Sequence, residues 1–165
     1  MIVLQDKAGA PRISLHAMTP DAAATLGQAF AAIDPWVRYP FSPDALAQYF
    51  NATESGAPRF AVAIDGTLAG VIGTRANWLR GPYLQFLGVV PRYQNRGIGQ
   101  LLLAWFEGEA RGRGERNIWV AASDFNATAL SFYERHGFQR AARLDGLIQD
   151  GVTEILLRKK LGPQK

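Results

Sequence analysis

Apolar positions along this chain fall into two kinds of stretch, short strand-like runs and longer segments with helical spacing. In the run from Arg12 to His16, Ile13 and Leu15 share one face, which predicts a short first strand. The segment from Asp21 to Ala32 is alanine-rich, with Gly27 its only glycine, and predicts a helix. Ser42 followed by Pro43 is an N-cap with proline at the first helical position, opening a helix through about Phe50. Two apolar runs, Arg59 to Ile64 and Thr67 to Thr74, are joined by Asp65-Gly66, a dipeptide that marks a tight hairpin. The next run, Tyr83 to Val90, is almost wholly apolar and predicts a strand in the middle of a sheet.

The clearest helix follows. Ile98, Leu101, Leu102, Trp105 and Phe106 recur at i, i+3, i+4, i+7 and i+8, which is one stripe of an α-helix. Arg111 and Arg113, with Gly112 and Gly114, supply the cations and glycines expected at its end. A buried strand is expected over Asn117 to Ala122. Asn126 then caps a second helix, which Gly137 ends. Phe138 to Leu144 and Thr153 to Arg158 read as two closing strands with turns at Asp145-Gly146 and Asp150-Gly151. The predicted order is β-α-α-β-β-β-α-β-α-β-β, in one domain over residues 1–165. Strand–helix–strand in the second half requires at least one parallel pair inside an otherwise antiparallel sheet.

Composition narrows the chemistry. The 165 residues suffice for a single core. There is no cysteine, which excludes a thiol nucleophile, thiolate metal ligands and disulfides. With only His16 and His136 as imidazoles, no metal site is expected. The first ten residues carry Asp6 and Lys7 and lack the apolar run of a secretion signal, and no stretch approaches a membrane span; a cytoplasmic protein with no membrane partner is the expectation. The net charge of +4 admits nucleic acid as a partner, but the arginines are scattered and the aromatic residues form no RNA-recognition pattern. A small polyanion suits them better, and no nucleic-acid partner is expected.

The segment Gln94-Asn95-Arg96-Gly97-Ile98-Gly99 lies between a buried strand and the amphipathic helix, which makes it an anion site. Glycines permit close backbone approach, and the N–H groups of the helix's first turn point outward where the helix dipole favours negative charge. Arg96 and Arg92 add cations. A Gly-x-Gly alone is weak evidence, since many turns contain one. No Gly-x-x-x-x-Gly-Lys-Ser/Thr is present, which excludes a P-loop. Position 102 is Leu rather than a third glycine, which disfavours a Rossmann dinucleotide site.

The run Val89-Val90-Pro91-Arg92-Tyr93-Gln94-Asn95-Arg96-Gly97-Ile98-Gly99-Gln100-Leu101-Leu102 resembles the acetyl-CoA motif of the GNAT superfamily of N-acetyltransferases. Asn126-Ala127-Thr128-Ala129-Leu130-Ser131-Phe132-Tyr133-Glu134-Arg135-His136-Gly137-Phe138 is similar to that family's second signature, in the family's order and separation. The resemblance implies an α/β (α+β) fold: a mixed, mostly antiparallel sheet of six to seven strands, helices on both faces, and two central parallel strands that splay apart. It implies an acetyl-CoA-dependent N-acetyltransferase acting on a primary amine, either a small molecule or a peptide or protein N-terminus. Without a cysteine, direct attack in a ternary complex is the expected route. A non-catalytic acyl-CoA-binding sensor is the alternative, and a homodimer stays open.

On these residues the resemblance implies the following. Leu87, Gly88 and Val89 offer backbone groups to the thioester and pantetheine. Asn95, Arg96, Gly97, Ile98, Gly99 and Gln100 cradle the pyrophosphate through main-chain N–H groups, with Gln94 as an additional donor. Gly88 fits either a strand bulge or close packing. Asn126 fits either a pantetheine contact or an N-cap. Tyr133 is the expected general acid, protonating the departing thiolate, while its position also suits a core aromatic. The general base is missing from its family position. Gly81 to Val90 and Asn117 to Ser123 hold no Asp, Glu or His, and Ala121 stands where one branch has a glutamate. A water relay, Asp124, a loop residue or no base at all are the alternatives; His136 suits a helix-dipole partner better. The acceptor pocket is expected from Ile33 to Phe50 and Leu144 to Val152, with Trp78 nearby, unless those aromatics only pin helices to the sheet.

Overall fold

A computed structural model describes residues 1–163. Its strands are β1 (Ile2–Gln5), β2 (Ile13–Ala17), β3 (Arg59–Ile64), β4 (Thr67–Arg75), β5 (Tyr83–Val89), β6 (Asn117–Ser123), β7 (Gln139–Asp145) and β8 (Thr153–Lys160). The helices are α1 (Pro20–Ala31), α2 (Pro43–Asn51), α3 (Ile98–Gly112) and α4 (Ala127–Arg135). The sheet order is β1-β2-β3-β4-β5-β6-β8-β7, antiparallel at each pair with a recorded register except the parallel β5–β6. The count is eight strands rather than six or seven. The addition is β1, which pairs with β2 through Ile2↔Leu15. It is four residues long and leaves Ile2 and Val3 exposed, so its sequence carries no burial pattern to read.

The described residues form two compact units, and their boundaries fall inside β5 and α3. Met1–Thr74 with Phe86–Phe106 is the first. Its hairpin turns at Asp65 and Gly66, with φ of 48° and 81°, the two left-handed residues that a type I′ turn needs. Arg12 N–H donates to the Asp65 carboxylate at 2.8 Å and ties that turn to β2. Thr19 and Ser42 cap α1 and α2, each hydroxyl accepting from an N–H three residues on. Gly27 lets the two helices close: a methyl there would sit 2.6 Å from the Pro43 carbonyl. Their inner faces meet β3–β5 through Leu26, Phe30, Leu46, Phe50, Ala61, Val71 and Phe86. Phe30 is fully buried with Phe50 and Phe86 edge-on to it, so Phe30→Ala would cost about 3–5 kcal/mol. On the other face Phe60 meets Trp105 of α3 at 5.7 Å, so helices cover both faces here. The buried stripe of α3 is Ile98, Leu102, Leu103, Phe106 and Ala110. Leu101 and Trp105, expected in it, flank it half-buried.

The second unit runs Arg75–Gln85 and from Glu107 onward. Its parallel register is two pairs, Tyr83↔Trp119 and Leu84↔Val120. Gly81 allows the approach, since a methyl there would collide with the Asn117 carbonyl. Glu107 on α3 accepts from Lys159 Nζ at 2.6 Å and Arg111 Nη2 at 2.7 Å, which fixes the helix end over β8. Burial alone would raise the Glu107 pKa, but those hydrogen bonds and charges bring it below the usual carboxylate value. No helix among the described residues is long and apolar enough to cross a membrane.

Candidate functional site

β5 alternates between half-buried Tyr83, Gln85, Leu87 and Val89 and buried Leu84, Phe86 and Gly88; Phe86 to Val89 belong to the first unit and Tyr83 to Gln85 to the second. Val90 N–H donates to the Ala69 carbonyl at 2.8 Å. Since alternate residues of a strand present their backbone groups to opposite edges, those of Leu87 and Val89 point away from β4. Gly88 is explained by packing, because a methyl on it would lie 2.6 Å from the Phe30 ring. Its carbonyl also meets Gly70 so closely that a side chain at 70 is excluded.

The chain then makes a 3-10 turn over Pro91–Tyr93 and enters α3 through Asn95 and Gly97, with φ of 60° and 76°. Left-handed residues on either side of Arg96 curl successive N–H groups into the kind of concavity that takes anions. Gly97 is the residue before the helix, and its carbonyl accepts from Leu101 N–H at 3.1 Å. The N–H groups of Ile98, Gly99 and Gln100 are thus those of the first turn, which an α-helix leaves without intrahelical acceptors. A methyl on Gly97 would meet no atom within 4 Å, so glycine is needed there for its dihedral and not for space. Gly99 is helical, so of the two glycines only Gly97 has a positive φ. Asn95 takes the other left-handed place, which asparagine tolerates. The Gln94 side chain is turned inward, Nε2 donating to the Val89 carbonyl at 2.9 Å, where it braces the turn. Arg92 and Arg96 both lie over the Tyr93 ring, at 5.4 and 5.7 Å, beside a groove of ≈ 690 Å³. Their charges stand at the N-terminal end of α3, the end at which a helix dipole favours negative charge.

Most of the aromatics expected in an acceptor pocket are packing groups. Trp36 stacks on Phe86 at 4.8 Å, Phe50 is fully buried, and Tyr39 packs on Phe41 at 5.5 Å. Asp34 and Arg38 form an exposed i,i+4 ion pair at 2.8 Å.

In the second unit, Asn126 caps α4, its Oδ1 accepting from Ala129 N–H at 3.1 Å. That cap uses the oxygen and leaves the amide NH₂ able to donate to a ligand, so the two roles for Asn126 are compatible. Tyr133 is 6% exposed, with its ring edge-on to Phe132 and Phe138. Burial pushes its phenol well above the ordinary value, and Tyr83 pushes it the same way. A phenol so placed is protonated at neutral pH and gives up its proton only to a strong base formed beside it. His136 Nδ1 donates to the Phe132 carbonyl at 2.7 Å in the last turn of α4, a capping role. Asp124 is exposed, and Asp145 accepts from the Thr153 hydroxyl at 2.6 Å. Trp78 stacks on Tyr83 at 4.8 Å and meets Trp119 edge-on at 5.5 Å. Among the described residues no three His, Cys, Asp or Glu side chains gather to hold a metal.

One buried pair escaped the sequence. Glu154 is 4% exposed on β8, and Ser123 on β6 donates its hydroxyl to Oε1 at 2.7 Å. The available signal was a single carboxylate inside the otherwise apolar run Thr153 to Leu157.

A model of the acetyltransferase (GNAT) family matches residues 23–138. Streptothricin acetyltransferase of Streptomyces lavendulae is 30% identical over 95 residues, covering 57% of this chain and 50% of that protein. The [ribosomal protein bS18]-alanine N-acetyltransferase of Escherichia coli K12 is 29% identical over 107 residues, covering 65% and 66%. The crystal structure of the Escherichia coli enzyme has a TM-score of 0.71 at 21% identity, covering 93% of this chain and 96% of that one. A GNAT family acetyltransferase from Elizabethkingia anophelis, with acetyl-CoA bound, has a TM-score of 0.66 at 17% identity, covering 90% and 98%. At those identities the structures speak to the fold alone. The aligned regions span half to about two thirds of the curated relatives' lengths.

Proposed function

The chain belongs to the acetyltransferase (GNAT) family, and from that premise we propose that it transfers an acetyl group from acetyl-CoA to a primary amine. The observation that carries this reading is the entry to α3, where Asn95 and Gly97 turn the main chain so that first-turn N–H groups present themselves to an anion. Asn95 to Gln100 would hold the pyrophosphate, with Arg92 and Arg96 adding charge and Gln94 bracing the turn. Leu87 and Val89 would meet the thioester arm along β5, with Gly88 turned to β4, and the Asn126 amide would donate to the pantetheine. With no cysteine in the chain, the amine nitrogen attacks the thioester carbonyl carbon directly, the C–S bond breaks, the thiolate takes the Tyr133 proton, and the proton shed by the nitrogen as the amide forms restores the phenol through solvent. In this reading residues 1–165 are a single N-acetyltransferase domain that works in the cytoplasm. The relatives' names specify streptothricin in one case and an alanine of ribosomal protein bS18 in another, so the acceptor class spans small amines and proteins.

The test is free-thiol release from acetyl-CoA over a panel of polyamines, amino acids, aminoglycoside-type amines and short peptides. Amine-dependent release supports the reading. Binding of acetyl-CoA with no release on any acceptor favours a sensor domain instead.

A further inference from the structure

The register of β6 and β8 sets Trp119 opposite Arg158, Ala121 opposite Leu156 and Ser123 opposite Glu154. Paired residues project from one face of a sheet, and alternate residues from the other. The other face carries Lys159, which reaches Glu107 on α3, so Glu154 and Ser123 lie on the face turned away from that helix. Glu154 is also the diagonal neighbour of Ala121, at a spacing of about 7–8 Å that a long side chain spans. Its carboxylate is held beside the Ser123 hydroxyl, on the same face of the sheet as Ala121.

Burying a carboxylate is costly, and an apolar residue would tie β6 to β8 equally well. The hydroxyl of Ser123 instead orients this one. We infer that Glu154, through Ser123, is the proton acceptor for the amine in the transfer proposed above, on which this inference rests. The ammonium proton passes to Ser123 Oγ as the Ser123 proton passes to Glu154 Oε1. The freed lone pair attacks the thioester, and Glu154 returns the proton to water after the product leaves. Ser123 and Leu144, its partners on β6 and β7, do not titrate; the ionisable groups sharing its face of β8 are Arg158 and, further along, Lys160.

The experiment compares wild type with Glu154→Gln, which keeps an acceptor for Ser123, on two amines: an alkylamine and a weakly basic aromatic amine already neutral at pH 7. Wild-type turnover on either comes first, because its absence sinks the transfer reading and not this assignment alone. The expected result at pH 7 is an alkylamine rate lower by about 10²–10³-fold with unchanged KM for acetyl-CoA. The gap should narrow as pH rises toward the alkylamine pKa, and it should be small for the aromatic amine at any pH. A variant within about threefold of wild type on the alkylamine, or an equal loss on both amines at every pH, overturns the assignment. If Glu154→Gln does not fold, Ser123→Ala is read by the same criterion, with about tenfold expected on the alkylamine alone.

Discussion

In the proposed reaction Asn95 to Gln100 would serve a ligand through main-chain N–H groups, with Arg96 adding charge, whereas Tyr133, Ser123 and Glu154 would each act through one side-chain atom. The first arrangement depends on dihedral angles, with φ of 60° at Asn95 and 76° at Gly97, and tolerates most substitutions that keep them. The second depends on individual protons held in buried places, with Tyr133 6% and Glu154 4% exposed. A main-chain site is robust and generic, which suits a donor common to a whole family. A side-chain site is fragile, because it depends on single atoms.

If this contrast is right, removing one oxygen from the second region should cost more than any single change in the first. Tyr133→Phe should fold, bind acetyl-CoA normally and lose turnover by about 10²–10⁴-fold, or roughly 3–5 kcal/mol of barrier. Its packing cost should stay below about 1.5 kcal/mol, because little volume changes. Thiol release at matched donor saturation, with a thermal melt as control, separates the two scales. A rate within about threefold of wild type would make Tyr133 a core aromatic only.

Next in size is the donor's own effect on stability. Acetyl-CoA at about 100 times its Kd should stabilise the protein by about 2.7 kcal/mol, raising Tm by roughly 5–10 °C. An unchanged Tm with acetyl-CoA, alongside a shift with RNA, would contradict the anion site as drawn.

Gly99→Asp sharpens the comparison from the other side. A carboxylate in the first turn of α3 favours the helix by about 0.3–1 kcal/mol and opposes a second anion there. The variant should remain folded by circular dichroism yet bind CoA at least about tenfold more weakly by calorimetry, roughly 1.4 kcal/mol. Undiminished affinity would show that the pyrophosphate does not sit on these N–H groups.

The smallest effect divides the two functions of Asn126. Asn126→Ala should lose about 1 kcal/mol of stability with the cap. Asn126→Ser keeps a capping oxygen and should restore the melt, but not the pantetheine contact, so its CoA affinity should stay low. Full recovery of both would leave only the cap.

The elements whose local chemistry is strong were legible in the sequence. Asp65-Gly66, Ser42-Pro43, Asn126 and Gly137 each stand where the turn or cap signal put them, and Gly137 has φ of 89°. β1 was not legible, since an exposed edge strand of four residues has no inward face to pattern. The site divided in the same way. Main-chain donors announce themselves through glycine and asparagine spacing. The Ser123–Glu154 pair is joined by β6–β8 register across 31 positions, which no local pattern encodes. The role of Trp36 and Phe50 was equally hidden, because an aromatic that lines a pocket and one that pins a helix look alike until their neighbours are known.

The central claim is group transfer to an amine, and mass balance tests it most directly. Purified protein is given saturating acetyl-CoA and an active acceptor, and both free thiol and acetylated amine are counted over time. The account predicts one acetylated amine per thiol released and no release above background when the acceptor is omitted. Thiol release that continues without an acceptor, or that exceeds the acetylated amine formed, would mean that water is the true acceptor and would contradict it.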